Sequence, residues 1–259
     1  FYVDEVPNGN NQVSYQVTAT DVHGNESQMS TSINVELAIE QTIQSGLGWN
    51  WFSYNVASED SSLDAILSSV SDNAIFITSQ SSGTATYYED YGWYGSLNTL
   101  EPGDGYLLKM STPSTLIYPE DGLARLKDNK QPISLTEATA EWAFNYREYE
   151  FVGTITASIE SREDFVGDLV GVFVDGECRG IAERMYFPYD DRYMYELQVY
   201  SNIADGEELH FKYLDSTLDE VIDFGETMTF TSNMIVGDGF STFALSSEVG
   251  KGILPIGYG

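Results

Sequence analysis

Leu169-Val170-Gly171-Val172-Phe173-Val174, followed at once by Asp175-Gly176, is the stretch that decides the fold. It is a short apolar run rich in β-branched residues, closed by a turn pair that tolerates positive φ, and it reads as a strand entering a tight hairpin. The same grammar repeats outward from it. Val152–Ile159, Tyr193–Tyr200, Glu208–Tyr213 and Thr227–Thr231 read as strands, separated by turn clusters such as Ala204-Asp205-Gly206. Strands set about 8–15 residues apart with such turns predict an antiparallel β-sandwich, here over residues 141–248.

Upstream the pattern changes in steps. Residues 121–140 are polar, lack alternation and carry three basic residues, which suggests a linker. Residues 39–120 predict a small aromatic β module with one helix. Trp49–Val56, Ala74–Thr78, Ala85–Tyr88 and Tyr106–Met110 read as strands. In Ser61–Val70, Leu63, Ile66, Leu67 and Val70 recur at i, i+3, i+4 and i+7 behind a serine cap, which predicts an amphipathic helix. In residues 1–38, Val13, Tyr15, Val17 and Ala19 alternate onto one face, and Ser32–Leu37 alternates again beyond a polar turn. The expected class is all-β: tandem sandwich-like modules, with one short helix in the middle one.

Charge narrows the function. The 259 residues hold 41 acids and 11 bases, a net charge of −30. Such a surface repels phosphate backbones and anionic headgroups, which argues against nucleic-acid and peripheral membrane partners. No apolar run nears the roughly 20 residues that span a bilayer. The first base is Lys109, so fourteen acids precede any cation and apolar burial must hold that half together. Excess carboxylate suits a saline, extracellular setting rich in divalent cations, and acidic surfaces also confer solubility. Cys178 is the single cysteine, which leaves no intrachain disulfide and no thiolate metal cluster. The opening Phe1-Tyr2-Val3-Asp4 lies in mid-pattern, so the chain is expected to be a piece of a longer protein.

Several motifs resemble known families. VSYQVTATDVHGNESQMSTSINVEL, residues 13–37, resembles the last strands of a fibronectin type III module. GWNWFSYNV, GWYGSL and LEPGDGYLLK together resemble a module of large secreted proteins of Bacteroidota and related marine phyla. GDLVGVFVDGECRGIA, YELQVYSN, GEELHFKYLD and TMTFTSNMIVGDG, within 150–240, resemble a sandwich domain found near the C-termini of such secreted proteins. FALSSEVGKGILPIGYG, with 249–259 as a tail, resembles the spacer before a type IX secretion sorting domain. These resemblances imply export to the cell surface or beyond. They assign no chemistry.

The residues offer few catalytic sets. His23 falls in a hairpin tip and His210 on a strand, neither in a metal-binding or triad spacing, and there is no G-x-S-x-G elbow. Cys178 beside Arg179 reads as a small core residue before it reads as a thiolate. Calcium is the better inorganic candidate, because hard cations take turn carboxylates. Asp190 and Asp191 with Glu183 form the leading set, followed by Asp164 with Asp168 and by Asp215 with Asp219 and Glu220. Trp49 and Trp51 share a strand face by parity and read as core, whereas Tyr91, Trp93 and Tyr94 in the Gly-bounded segment read as exposed and able to stack on sugar rings. The expected function is a non-enzymatic segment of a secreted or surface protein, serving adhesion, spacing or assembly. Its partners would be an extracellular polymer, a cell-surface component or its own copies. Two alternatives stand beside it: a carbohydrate-binding accessory of a secreted hydrolase, and a subunit of an extracellular filament or surface layer.

Overall fold

The computed structural model describes residues 12–36, 42–56, 58, 60–118, 133, 135–159 and 165–246. It is β-rich with a single α-helix among these residues, as the alternation requires. The chain packs as two compact units, Phe1–Phe76 with Tyr87–Trp93 and Asn98–Asp128, and Ile77–Thr86 with Tyr94–Leu97 and Asn129–Gly259. The division departs from a boundary at residue 120, because two short middle segments pack within the second unit.

In the first unit, β1 (Gln12–Tyr15) and β2 (Ile33–Glu36) pair antiparallel. Asp21 caps their connecting turn, accepting from the His23 and Asn25 N–H groups at 2.8 and 3.0 Å. None of the side chains from Ser14 to Asn34 is buried. Next along the chain come β3 (Thr42–Ser45), β4 (Gly48–Ser53), α1 (Leu63–Ile66), β5 (Ala74–Ser79), β6 (Thr84–Tyr88), β7 (Gly92–Gly95), β8 (Gly105–Met110) and β9 (Ser114–Ile117), of which 77–79 of β5, 84–86 of β6 and 94–95 of β7 belong to the second unit. β3 pairs with β9, and a five-stranded sheet runs β4-β8-β5-β6-β7. The helix is shorter than its apolar spacing predicts, four residues behind the Ser62 cap, and turns carry the chain on to Val70. The apolar set still does its work, since Leu63, Ile66, Leu67 and Val70 are all buried.

The second unit is built on β10 (Phe151–Ile159), β11 (Leu169–Val174), β12 (Glu177–Phe187), β13 (Arg192–Ser201), β14 (Asp205–Asp215), β15 (Glu220–Thr231), β16 (Ile235–Val236) and β17 (Phe243–Leu245). Their order is β15-β14-β11-β12-β13-β10-β16, with β17 also on β10. β12 belongs to two layers. Its first half pairs with β11 and its second half with β13. A strand that changes partner in this way makes the corner between two packed sheets. The core between the layers follows period 2 closely: Ile155, Ala157 and Ile159, Val170, Val172 and Val174, Tyr195, Leu197 and Val199, and Leu209, Phe211 and Tyr213.

β11 is buried along its whole length because its other face is covered too. Trp142 packs there with Leu169, Phe173, Cys178 and Leu214, and Ile133, Leu135 and Ala138 lie against the same cluster. The end of the expected linker is therefore part of a core; most of that linker, and the tail at 249–259, lie outside the described residues. Gly171 makes this second burial possible, since a Cβ there would sit 2.9 Å from the Trp142 ring. Among the described residues no helix is long and apolar enough to cross a membrane, which says nothing of β-barrel spans.

A Cβ added at Gly180 would collide with the Gln198 backbone carbonyl, whereas one at Gly225 meets nothing within 4 Å. Gly180→Ala is expected to destabilise the fold by about 1–3 kcal/mol. Gly225→Ala is expected to stay within about 0.5 kcal/mol of the parent. Urea denaturation of both variants checks the difference.

Candidate functional site

The Gly-bounded aromatic segment does not form the exposed trio expected of it. Trp93 is 8% exposed, its ring lies 5.4 Å from Tyr87, and its backbone N–H donates to Asp64 Oδ1 at 3.1 Å. The carboxylate in the first turn of α1 thus fixes the strand and leaves Trp93 facing inward, unable to stack on a sugar. Successive strand residues point to opposite faces, and Tyr94 goes the other way. Its hydroxyl donates to the Tyr186 carbonyl, and its ring meets Phe187 and Tyr189 edge-on at 5.4 and 5.6 Å. Burial, then the Tyr189 and Glu196 charges, push its phenol above the ordinary value. Tyr91 alone of the three is exposed.

The core reading of Trp49 and Trp51 is also overturned in part. They share a face of β4, but Trp51 is 73% exposed. Trp49 is half-buried, edge-on to Phe76 at 6.1 Å, with the Lys109 ammonium 5.5 Å from its ring centroid. Among the described residues β4 ends its sheet and has a neighbouring strand on one side alone. Parity identifies a shared face but does not say what covers it.

The acidic sets are placed apart or already engaged. Asp190 and Asp191 occupy the turn between β12 and β13, where Asp190 pairs with Arg192 and Asp191 accepts from the Tyr186 hydroxyl at 2.7 Å. Glu183 lies four residues before the end of β12, roughly 13 Å along the strand at about 3.3 Å per residue. Among the described residues no group of three or more His, Cys, Asp or Glu could hold a metal ion. Asp168 is fully buried and serves as a brace. It accepts from the Phe165 N–H at 2.7 Å, from the Ser216 N–H and hydroxyl at 2.9 and 2.6 Å, and from the Tyr213 hydroxyl. Asp215 caps the next turn through the Thr217 N–H and hydroxyl at 3.0 and 2.6 Å. Asp164 lies outside the described residues, and Asp219 holds a positive φ of 53° in the β14–β15 turn.

Neither histidine forms a catalytic arrangement: His23 is exposed in its turn, and His210 on β14 lies 3.9 Å from Glu208. Cys178 is buried with its thiol against the Gly180 carbonyl, and burial pushes that thiol up to about 11, which leaves it protonated at neutral pH.

Arg179 was not singled out by the sequence pattern. Val172 pairs with Gly180 and Phe173 with Cys178, so Arg179 is the extra residue of a β-bulge. Its guanidinium is buried over the Tyr149 ring at 4.9 Å and 3.7 Å from Glu207. The outer face of β13 was missed as well. Tyr195, Leu197 and Val199 enter the core, so Glu196, Gln198 and Tyr200 point away from it, and that parity was available in the sequence. The Gln198 amide donates to the Ser79 carbonyl at 2.7 Å and to the Thr78 hydroxyl at 3.1 Å. The Tyr200 hydroxyl donates to the Gln80 carbonyl at 2.8 Å, and Glu196 accepts from the Ser96 N–H at 2.7 Å. These bonds draw 77–86 and 94–97 into the second unit. Burial holds the Tyr200 phenol far above its ordinary value.

Comparison with protein-family models, with curated proteins and with solved structures found no match.

Burial raises the Asp168 carboxyl, but the hydrogen bonds from Ser216, Tyr213 and the Phe165 N–H outweigh it and hold the group below 3.8. A depressed carboxylate contributes its stability fully above the unfolded value and loses it as pH falls through the folded one. Acid unfolding should therefore be shallower in Asp168→Asn than in the parent below about pH 4, with an overall loss of about 1–3 kcal/mol at neutral pH. Denaturation curves across that range check both points.

Proposed function

We propose that the chain is a non-enzymatic, force-bearing segment of a secreted or surface-displayed protein, serving adhesion and spacing. One observation carries the reading: β10, near the start of the sandwich, runs parallel to β17, at its end. Ala157 pairs with Phe243, Ser158 with Ala244 and Ile159 with Leu245, and β16 extends the parallel contact through Thr154–Ile235 and Ile155–Val236. Once the upstream segments packed on the second unit let go, tension from the two flanks pulls the N-terminal end of β10 and the C-terminal end of β17 in opposite directions. On parallel neighbours that load is shear, so the evenly spaced bonds of the ladder share it and must fail together. An antiparallel terminal pair would instead unzip one bond at a time.

Two further features support the reading. Leu245 is fully buried, so sliding β17 also drags an apolar side chain out of the core. The net charge of −30 suits a protein exposed to salt, where self-repulsion is screened and aggregation is opposed. The resemblance to exported Bacteroidota modules supplies the setting. Resistance to force is set by the unfolding barrier and not by equilibrium stability.

Single-molecule pulling on the full chain through its termini tests this. The parent should give a distinct high-force rupture for the sandwich. Ala244→Pro, in the clamp strand, should lower that force, whereas Ile222→Ala on the far strand β15 should reduce equilibrium stability yet leave the force nearly unchanged. No resolvable rupture, or equal weakening by both substitutions, overturns the proposal.

A further inference from the structure

Of the four tryptophans, Trp51 alone is open to solvent, at 73% exposure against 8% for Trp93 and 4% for Trp142, with Trp49 half-buried. Leu47, in the turn entering β4, is also 72% exposed. A large flat apolar surface left out of the core on an edge strand is a feature soluble domains avoid unless something covers it. We propose that Trp51, with Trp49 beside it, is a stacking platform for the pyranose rings of a neutral extracellular polysaccharide.

The geometry fits that ligand. Trp49 and Trp51 are two residues apart on one face of β4, so their rings succeed each other about 7 Å along the strand. Ser53 continues the row, and its hydroxyl bonds Asn55 Oδ1 at 3.0 Å and the Asp104 carbonyl at 3.2 Å, placing amide and hydroxyl groups just beyond the rings. A pyranose offers an apolar face of axial C–H groups and a polar rim of hydroxyls. The C–H face lies against the negative face of an indole while the rim reaches such side chains. Trp49 is held in place by Phe76 and by Lys109, its register partner on β8. A pre-positioned ring loses little freedom on binding.

Charge selects the neutral class. An acidic polymer meets a chain of net −30 whose first 108 residues hold no cation, and the Lys109 ammonium is already engaged with the Trp49 ring. A basic peptide is repelled by that same ammonium. A neutral glycan meets neither penalty.

The inference deepens the adhesive reading and rests on it for its setting. The clamp belongs to the second unit and the platform to the first, so each experiment can fail while the other stands. The test is affinity electrophoresis of the full chain through gels carrying laminarin, xyloglucan or galactomannan, with alginate as the anionic polymer. At least one neutral gel should retard the parent. Trp51→Ala should weaken the interaction at least about tenfold and Trp51→Phe less, while Tyr91→Ala, elsewhere on the surface, should bind as the parent does. Retardation by none of the three neutral polymers, retardation that survives Trp51→Ala, or retardation by alginate as strong as by the neutral gels overturns the proposal.

Discussion

The constraint on which the second unit depends is the burial of β11 on both faces. One face contributes Val170, Val172 and Val174 to the core between the sheets, and the other contributes Leu169 and Phe173 to the Trp142 cluster. A strand with no wet face has to be apolar throughout, which is why Leu169–Val174 lacks polar alternation. It also needs a place where an indole can come close, and Gly171 supplies it. Pairing with β12 and β14 then fixes the register of the neighbours, and β12 carries the chain around the corner to β13.

Charge has a smaller part in holding the fold. Arg179, with its ring and carboxylate neighbours, is among the described residues an ion-pair partner drawn into the interior, and it sits where a bulge turns the strand. Asp168 and Asp215 show the other use of acid here. Both are buried and both spend their oxygens on hydroxyls and backbone N–H groups at turns. A carboxylate satisfied in this way is a structural part, and it has little capacity left for a cation.

Much of the sandwich was legible in the sequence, because period 2 and turn residues are local signals. Leu169–Val174 is read to the residue, and the Asp175-Gly176 turn has both φ values positive, 50° and 86°, as such a pair permits. The aromatic reading failed for a reason that local signals cannot cure. Trp49 with Trp51 and Trp93 with Tyr94 follow the same alternation rule, but which face is covered depends on partners distant in sequence: the Asp64 carboxylate for Trp93 and the end position of β4 for Trp51. The leading acidic set meets the same limit, since adjacency of Asp190 and Asp191 in a turn says nothing about how far along β12 Glu183 has travelled. The short helix shows the reverse case, in which the apolar spacing found the buried residues while overstating the helical span.

The exposed hairpin of β1 and β2 has one more consequence. A two-stranded ribbon with no buried side chain from Ser14 to Asn34 opens readily, and local opening is what proteases exploit. Trypsin-like enzymes cut after lysine or arginine, and the chain offers them neither before Lys109. That first lysine lies within β8, with its ammonium over Trp49. This exposed segment therefore carries no bond such an enzyme recognises, and the first recognisable bond lies inside a sheet. The bias against cations that limits salt bridging in this half thus also spares it from one of the commonest classes of digestion.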